Sequence, residues 1–194
     1  MKRTILWVFI CAVLAAWFLV SPFLGIAGLR AAVEARNPAA IEDRVDFRRL
    51  RLSLGTQIVS AYLRLTGRAQ QFGSLGNALS ATAGASLADP LLSDVLTSEA
   101  ILNFLSGAKS SPIPISHAGD MLNVTTPDTI WKAFVNSEYG IGNFYLSVPL
   151  DKAPSEQFRL RFQLLQWTWK LTAVDLPQDV RAHLAKELQR RIGG

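Results

Sequence analysis

The sequence predicts an α+β protein: an N-terminal transmembrane helix, then helices packed on a curved antiparallel sheet of three to four strands, and a closing C-terminal helix. Three observations carry this expectation. Twenty-six residues without a formal charge, Thr4 to Leu29, follow directly on Lys2-Arg3. Apolar side chains then recur at helical spacing from Phe47 to Leu65. Beyond residue 143 the pattern switches to an alternation of period two. Half of the eighteen aromatic residues fall between Trp131 and Trp169, so the densest core is expected under the strands.

Ile5 to Val20 is apolar throughout, and with Thr4 it makes 17 residues. As a helix that run measures about 25 Å at ~1.5 Å per residue, slightly short of the ~30 Å core of a bilayer. Continuation through Ser21-Pro22-Phe23-Leu24-Gly25-Ile26 supplies the missing length. Lys2 and Arg3 favour a cytoplasmic N-terminus, and Trp7 and Trp17 stand near the ends of the run, where indole rings prefer the interface. The rival reading is a cleaved secretory signal, with Val13-Leu14-Ala15 as the small-residue site. The mature chain would then begin AWFLVSPFLG, an apolar start that favours the uncleaved anchor. The expected division is residues 1–29 as anchor and residues 30–194 as one extracytoplasmic domain, large enough for a core of its own. Cys11 is the only cysteine and lies in the anchor, so the domain forms no internal disulfide. The net charge is +5, of which Lys2 and Arg3 supply two. What remains is mildly basic and selects no partner by itself.

Residues 22–36 continue as a helix with Ile26, Leu29, Ala32 and Val33 on one face. Asn37 is placed to cap a short helix that Pro38 opens and Arg44 closes. Asp46 is placed to cap the next, in which Phe47, Leu50, Leu54, Ile58, Ala61 and Leu65 form the stripe. Gly55 weakens that helix by up to ~1 kcal/mol relative to alanine. Residues 66–89 are rich in Gly, Ala and Ser and are expected to be a flexible loop. Short helices follow at Pro90–Val95 and, capped by Thr97, at Ser98–Leu105. Residues 110–120 contain two prolines and read as extended or irregular. Thr129–Val135 is ambiguous but apolar enough for a strand. Asn143–Pro149 alternates Phe144, Leu146 and Val148. Gln157–Leu165 alternates Phe158, Leu160, Phe162 and Leu164 against Arg159, Arg161 and Gln163, the pattern of a sheet wet on one side. Trp169–Leu176 completes a hairpin, and residues 177–192 close the chain as a helix striped by Val180, Leu184 and Leu188.

Several segments resemble a known family. RVDFRRLRLSL (residues 44–54) is similar to a "VDFPALRxSL" segment, and WKLTAVDLP (residues 169–177) to a "WRLTxIxLP" strand ending. Together with Ser21-Pro22, the LRAAVEARN helix and the LADPLL…LTSEAI block, they resemble the bacterial domain-of-unknown-function family 2939. The resemblance covers most of residues 20–110 and 156–177. It implies a short protein with an N-terminal membrane segment and no assigned activity, so it transfers no catalytic residue. This chain departs from the family in having Arg48 where proline is frequent and Thr97-Ser98-Glu99 where "TPE" is usual. It also has Gln166-Trp167 where the last hairpin usually turns through glycine.

Two constellations are candidate sites. Arg44, Arg48 and Arg51 recur at helical spacing beside Arg49, and they would suit phospholipid headgroups, an envelope polymer or an acidic partner. The simpler reading is a solvated face offset by Glu42, Asp43 and Asp46. Trp131, Phe144, Tyr145, Phe158, Phe162 and Trp169 could line an apolar pocket on the concave face of a curved sheet, or simply fill the core. Other chemistry finds little support. Asp46 and Asp175 read as helix caps rather than an acid–base pair. His117 and Asp120 make too few ligands for a metal, with His183 far along the chain. No GxSxG or GxxxxGK[ST] is present, and nucleic acid is disfavoured for an exported face. No cofactor, metal or catalytic residue is assigned. The sequence therefore points to a membrane-anchored extracytoplasmic protein that binds an apolar or envelope ligand, or a protein partner, without catalysis. The alternative is a structural or assembly component of a membrane complex with no small-molecule pocket.

Overall fold

The computed structural model describes residues 2–67 and 127–192, together with Thr97 and Glu99. The described elements are α1 (Lys2–Glu34), α2 (Pro38–Arg44), α3 (Phe47–Leu65), α4 (Pro127–Val135), β1 (Ser137–Gly140), β2 (Asn143–Val148), a 3-10 turn (Pro154–Glu156), β3 (Phe158–Leu165), β4 (Thr168–Asp175) and α5 (Gln178–Ile192). This is the α+β arrangement expected, with the long apolar helix first and a helix last. The loop expected at 66–89 lies outside the described residues beyond Gly67, as do the helix at 90–95 and the extended or irregular stretch at 110–120; of the helix expected at 98–105 only Glu99 is described, in helical geometry.

α1 is one helix of 33 residues with two different halves. Large apolar side chains from Ile5 to Val20 are exposed, whereas Ile26, Leu29, Ala32 and Val33 are buried in the core. The change falls at Pro22. Proline has no N–H to give the Phe18 carbonyl, and the Ser21 hydroxyl donates to that carbonyl instead, at 3.0 Å. The helix closes with Arg36 at φ 48. There Asn37 N–H donates to the Ala32 carbonyl and Arg36 N–H to that of Val33, at 3.0 and 3.1 Å, a left-handed stop that glycine usually provides.

Both predicted caps form. The Asn37 side chain accepts from Ala40 N–H at 3.2 Å, and the Asp46 side chain accepts from Arg49 N–H at 3.0 Å. Between α2 and α3 the chain touches the sheet edge. Val45 forms a parallel bridge with Leu171, and Asp46 N–H donates to the Leu171 carbonyl at 2.9 Å.

The sheet is an antiparallel meander in the order β1-β2-β3-β4. Phe144 stands opposite Phe162, and Phe162 opposite Leu171. That row, with Leu146, Val148, Phe158, Leu160 and Trp169, is buried against α1, α2 and α3. Register shifts between Arg161 and Phe162, leaving Thr172 as the extra residue of a bulge in β4. Its hydroxyl donates to the Arg161 carbonyl at 3.3 Å.

Three expectations need correction or sharpening. Thr129–Val135 belongs to a helix, α4, not a strand. Pro127 and Asp128 are helix-starting residues, and Asp128 pairs with Lys132 one turn later at 2.8 Å. The first strand is instead Ser137–Gly140, whose SEYG sequence has no apolar alternation to reveal it. Finally, β3 and β4 turn through Gln166 and Trp167, at φ 50 and 64. Both lie in the left-handed region that a two-residue primed turn requires and that usually selects Asn-Gly.

α1 docks closely on β4. A Cβ added at Gly25 would stand 2.5 Å from the Trp169 Cβ, so only glycine fits there without displacement. Gly25→Ala is therefore expected to lower stability by ~1–3 kcal/mol through overpacking, measured by denaturation of the detergent-solubilised protein. The opposite sign is expected at Trp167, which is 94% exposed. Trp167→Gly should raise stability by ~0.5–1 kcal/mol, because relief of left-handed strain outweighs glycine's entropy cost; an unchanged or lower midpoint would contradict this.

Candidate functional site

The six aromatics do not converge on one space. Phe144, Phe158, Phe162 and Trp169 are buried in the core, where Phe144 meets Phe162 at 6.4 Å and Trp169 at 6.5 Å between ring centroids. Phe23 of α1 closes on Phe144 edge-on at 5.3 Å. The second half of α1 thus occupies space that the pocket reading assigns to a ligand. Tyr145 is on the other face, because successive strand residues point to opposite sides. Trp131 lies on α4, 65% exposed and stacked on Phe134 at 5.9 Å.

The arginines are also divided. Arg44 ends α2, while Arg48 and Arg51 are on α3, so they do not share one helix face as expected. The chain leaves helical geometry at Val45 to pair with β4, which no helical periodicity reveals. Arg44 packs inward, and a Cβ at Gly28 would come within 2.8 Å of its guanidinium.

A different group does come together on the wet face of the sheet. α3 lies beside β4 and leaves an open cleft of about 540 Å³, bordered by Arg49, Ser53, Arg161, Gln163, Thr172 and Asp175. The Arg49 guanidinium donates to Gln163 Oε1 and also lies 3.4 Å from Asp46 Oδ2. Gln163 in turn donates to Asn143 Oδ1 at 2.8 Å. Arg159 and Arg161 both stand over the Tyr145 ring, at 4.5 and 5.3 Å from its centroid. Arg159 is paired with Glu138. Arg161 Nε is buried and has no hydrogen-bond partner among the described residues. An arginine nitrogen in that state lacks a partner it would have in water, and its planar fork suits an oxyanion. The alternation of Arg159, Arg161 and Gln163 was legible as a wet strand face. That Arg49 would reach across to it was not, because the contact spans 114 residues.

The third locus joins α1 to the first strand. Tyr139 donates its hydroxyl proton to the Leu19 carbonyl at 2.8 Å, and its ring lies 5.0 Å from Phe144. Burial pushes the Tyr139 phenol above its ordinary value, partly offset by the Ser137 hydroxyl. Among the described residues no group of three or more His, Cys, Asp or Glu side chains could hold a metal ion. His183 is exposed on α5, and His117 and Asp120 lie outside the described residues.

In class, this is an α+β domain continuous with one helix long and apolar enough to cross a membrane. Residues 11–103 match the model of the family described as "Protein of unknown function (DUF2939)", which bears out the resemblance seen in the sequence. The match runs from Cys11 past α3 and stops before the sheet. No curated protein and no solved structure matches the chain.

Two outcomes test these contacts. Arg161→Met is expected to leave stability within ~0.5 kcal/mol of wild type or to raise it, since it removes a buried nitrogen without a partner; a loss above ~2 kcal/mol would assign Arg161 to the scaffold. Tyr139 is an acid whose folded value is raised, so its contribution is fully present below the unfolded phenol value near ~10 and is lost as pH rises through the folded one. Alkaline titration of the melting temperature should show that loss in wild type, and Tyr139→Phe should reduce the slope.

Proposed function

We propose that this is a single-pass protein of the bacterial envelope, with a cytoplasmic N-terminus and its α+β domain in the periplasm or outside the cell. The domain binds an anionic ligand or partner without catalysis. The observation that carries the anchor is α1 itself, whose uncovered apolar half runs without a break into a half buried in the core. An uncleaved helix explains both halves at once. A cleaved signal would leave Leu19, which Tyr139 holds by its carbonyl, on a loose apolar stub.

The binding part of the proposal rests on the cleft between α3 and β4. Arg49 and Arg161 border it from two elements, and Arg161 brings the unpartnered nitrogen. Arg48, exposed on α3, adds positive charge nearby, and Arg51 is on the same helix. The second reading, an assembly component without a pocket, is favoured by the filled core beneath the aromatics.

Native mass spectrometry of the detergent-purified full-length protein separates the two. A retained anionic small molecule or lipid that Arg161→Met loses supports ligand binding. A clean mass at higher stoichiometry, unchanged by Arg161→Met, supports assembly instead. Topology is read from fusions at Gly194: an export-dependent phosphatase should be active there, and fluorescence from a reporter that folds only in the cytoplasm would overturn the orientation.

A further inference from the structure

α4 is inverted relative to a helix of a water-facing surface. Such a helix buries its large apolar side chains and exposes its small or polar ones. Here the buried residue is Ala133, while Trp131 is 65% exposed, Val135 63%, Ile130 46% and Phe134 40%. At ~100° per residue, those four side chains span a continuous arc of about 140°. Asp128 and Lys132 occupy the next sector and pair with each other at 2.8 Å. The polar sector is therefore locally neutral, and the exposed sector is apolar and contains an indole and a phenyl ring stacked at 5.9 Å.

The position of this arc is fixed by a chain of contacts. Phe134 lies 6.1 Å from the Tyr139 ring, and the Tyr139 hydroxyl meets the Leu19 carbonyl at 2.8 Å. Leu19 is the next-to-last residue of the apolar run Ile5–Val20 on α1. The arc thus lies beside the end of the run, at the level where a spanning α1 leaves the bilayer. Tyr and Trp prefer that level, with ring in the apolar layer and polar atom toward water.

We infer that α4 is an interfacial membrane helix, and that Ile130, Trp131, Phe134 and Val135 insert into the leaflet from which α1 emerges. This rests on the proposed anchoring of α1 and adds a second membrane contact to it. Two contacts set the tilt of the domain, because α1 alone leaves rotation about its own axis free. The occupant of the arc is lipid rather than a ligand: the arc carries no charge, and Phe134 and Tyr139 tie it to the end of the exposed apolar run of α1.

The test uses the full-length protein in phosphatidylcholine vesicles, in a Cys11→Ser background, with a nitroxide attached at one position at a time. Val13→Cys reports on α1, Trp131→Cys and Val135→Cys on the apolar arc, and Lys132→Cys on the polar sector. Collision rates with oxygen and with a water-soluble nickel chelate then give depth. The expected result is a several-fold higher oxygen-to-chelate ratio at 131 and 135 than at 132, with 13 deeper still. A chelate-favoured ratio at 131 and 135, with oxygen favoured at 13, overturns the inference and leaves the anchor standing. Immobile labels at 131 and 135 shielded from both reagents also overturn it, since protein then covers the arc. A chelate-favoured ratio at 13 sinks the anchor reading and this inference with it.

Discussion

The indole N–H of Trp169 donates to the Ser21 hydroxyl at 3.0 Å, and that hydroxyl donates to the Phe18 carbonyl. The second bond answers a vacancy made by Pro22, which has no N–H for that carbonyl. The first ties the answer to the sheet, 148 residues away in sequence. Each such bond is worth only ~0.5–1.5 kcal/mol net, but the pair also fixes where α1 crosses β4. Gly25 then allows the backbones to approach, and Phe23 reaches Phe144 at the centre of the aromatic core. Phe144 touches Tyr139, Phe162 and Trp169 in turn. The packing of five elements, α1 and the four strands, follows from one crossing.

The same strand organises the other side of the molecule. β4 is an edge strand, and an open edge invites unwanted pairing. Two devices cover it. Val45 and Asp46 pair with Leu171. Further along, the Gln57 side chain donates to the Val174 carbonyl at 2.8 Å and accepts from Leu176 N–H at 2.9 Å, doing with an amide what a neighbouring strand would do. These contacts hold α3 alongside the edge, with Leu50 and Leu54 turned into the core. Arg49 is then placed over the wet face, where it meets Gln163 and helps form the cleft.

Legibility of the sequence followed the range of the interaction. Asn37 and Asp46 act within three residues, and both caps form where the sequence puts them. The buried set Ile26, Leu29, Ala32 and Val33 follows from helical periodicity, as Phe144, Leu146 and Val148 follow from alternation. The misreadings arose where tertiary contact overrides local pattern. α4 looked like a strand because it is apolar, and its apolar residues face outward, which periodicity cannot distinguish from inward. The hairpin through Gln166-Trp167 was legible from the strands on either side, though the pair carries no turn signature for the positive φ that both adopt. Tyr145 lies on the other face of the sheet and Trp131 is exposed on α4, whereas Phe144, Phe158, Phe162 and Trp169 lie under it as the alternation implies. Their filling by α1 was not visible, because the helix read as anchor supplies Phe23, Ile26 and Leu29 to the core as well.

β4 therefore serves two loci at once. Trp169 holds α1 from one side of the strand, and Thr172 and Asp175 border the cleft a few residues on. The bulge at Thr172 lies between them and changes which face the following residues present. Were Thr172 paired as an ordinary strand residue instead, strict alternation would turn Ala173 and Asp175 inward and Val174 outward. The described chain has no flexible joint between α1 and the sheet, since the helix passes from its exposed half to its buried half without a break. A group bound in the cleft would act on the same strand that positions α1. The contact with α1 and the border of the cleft are consequently constraints on one strand, and the bulge sets which of its residues face each.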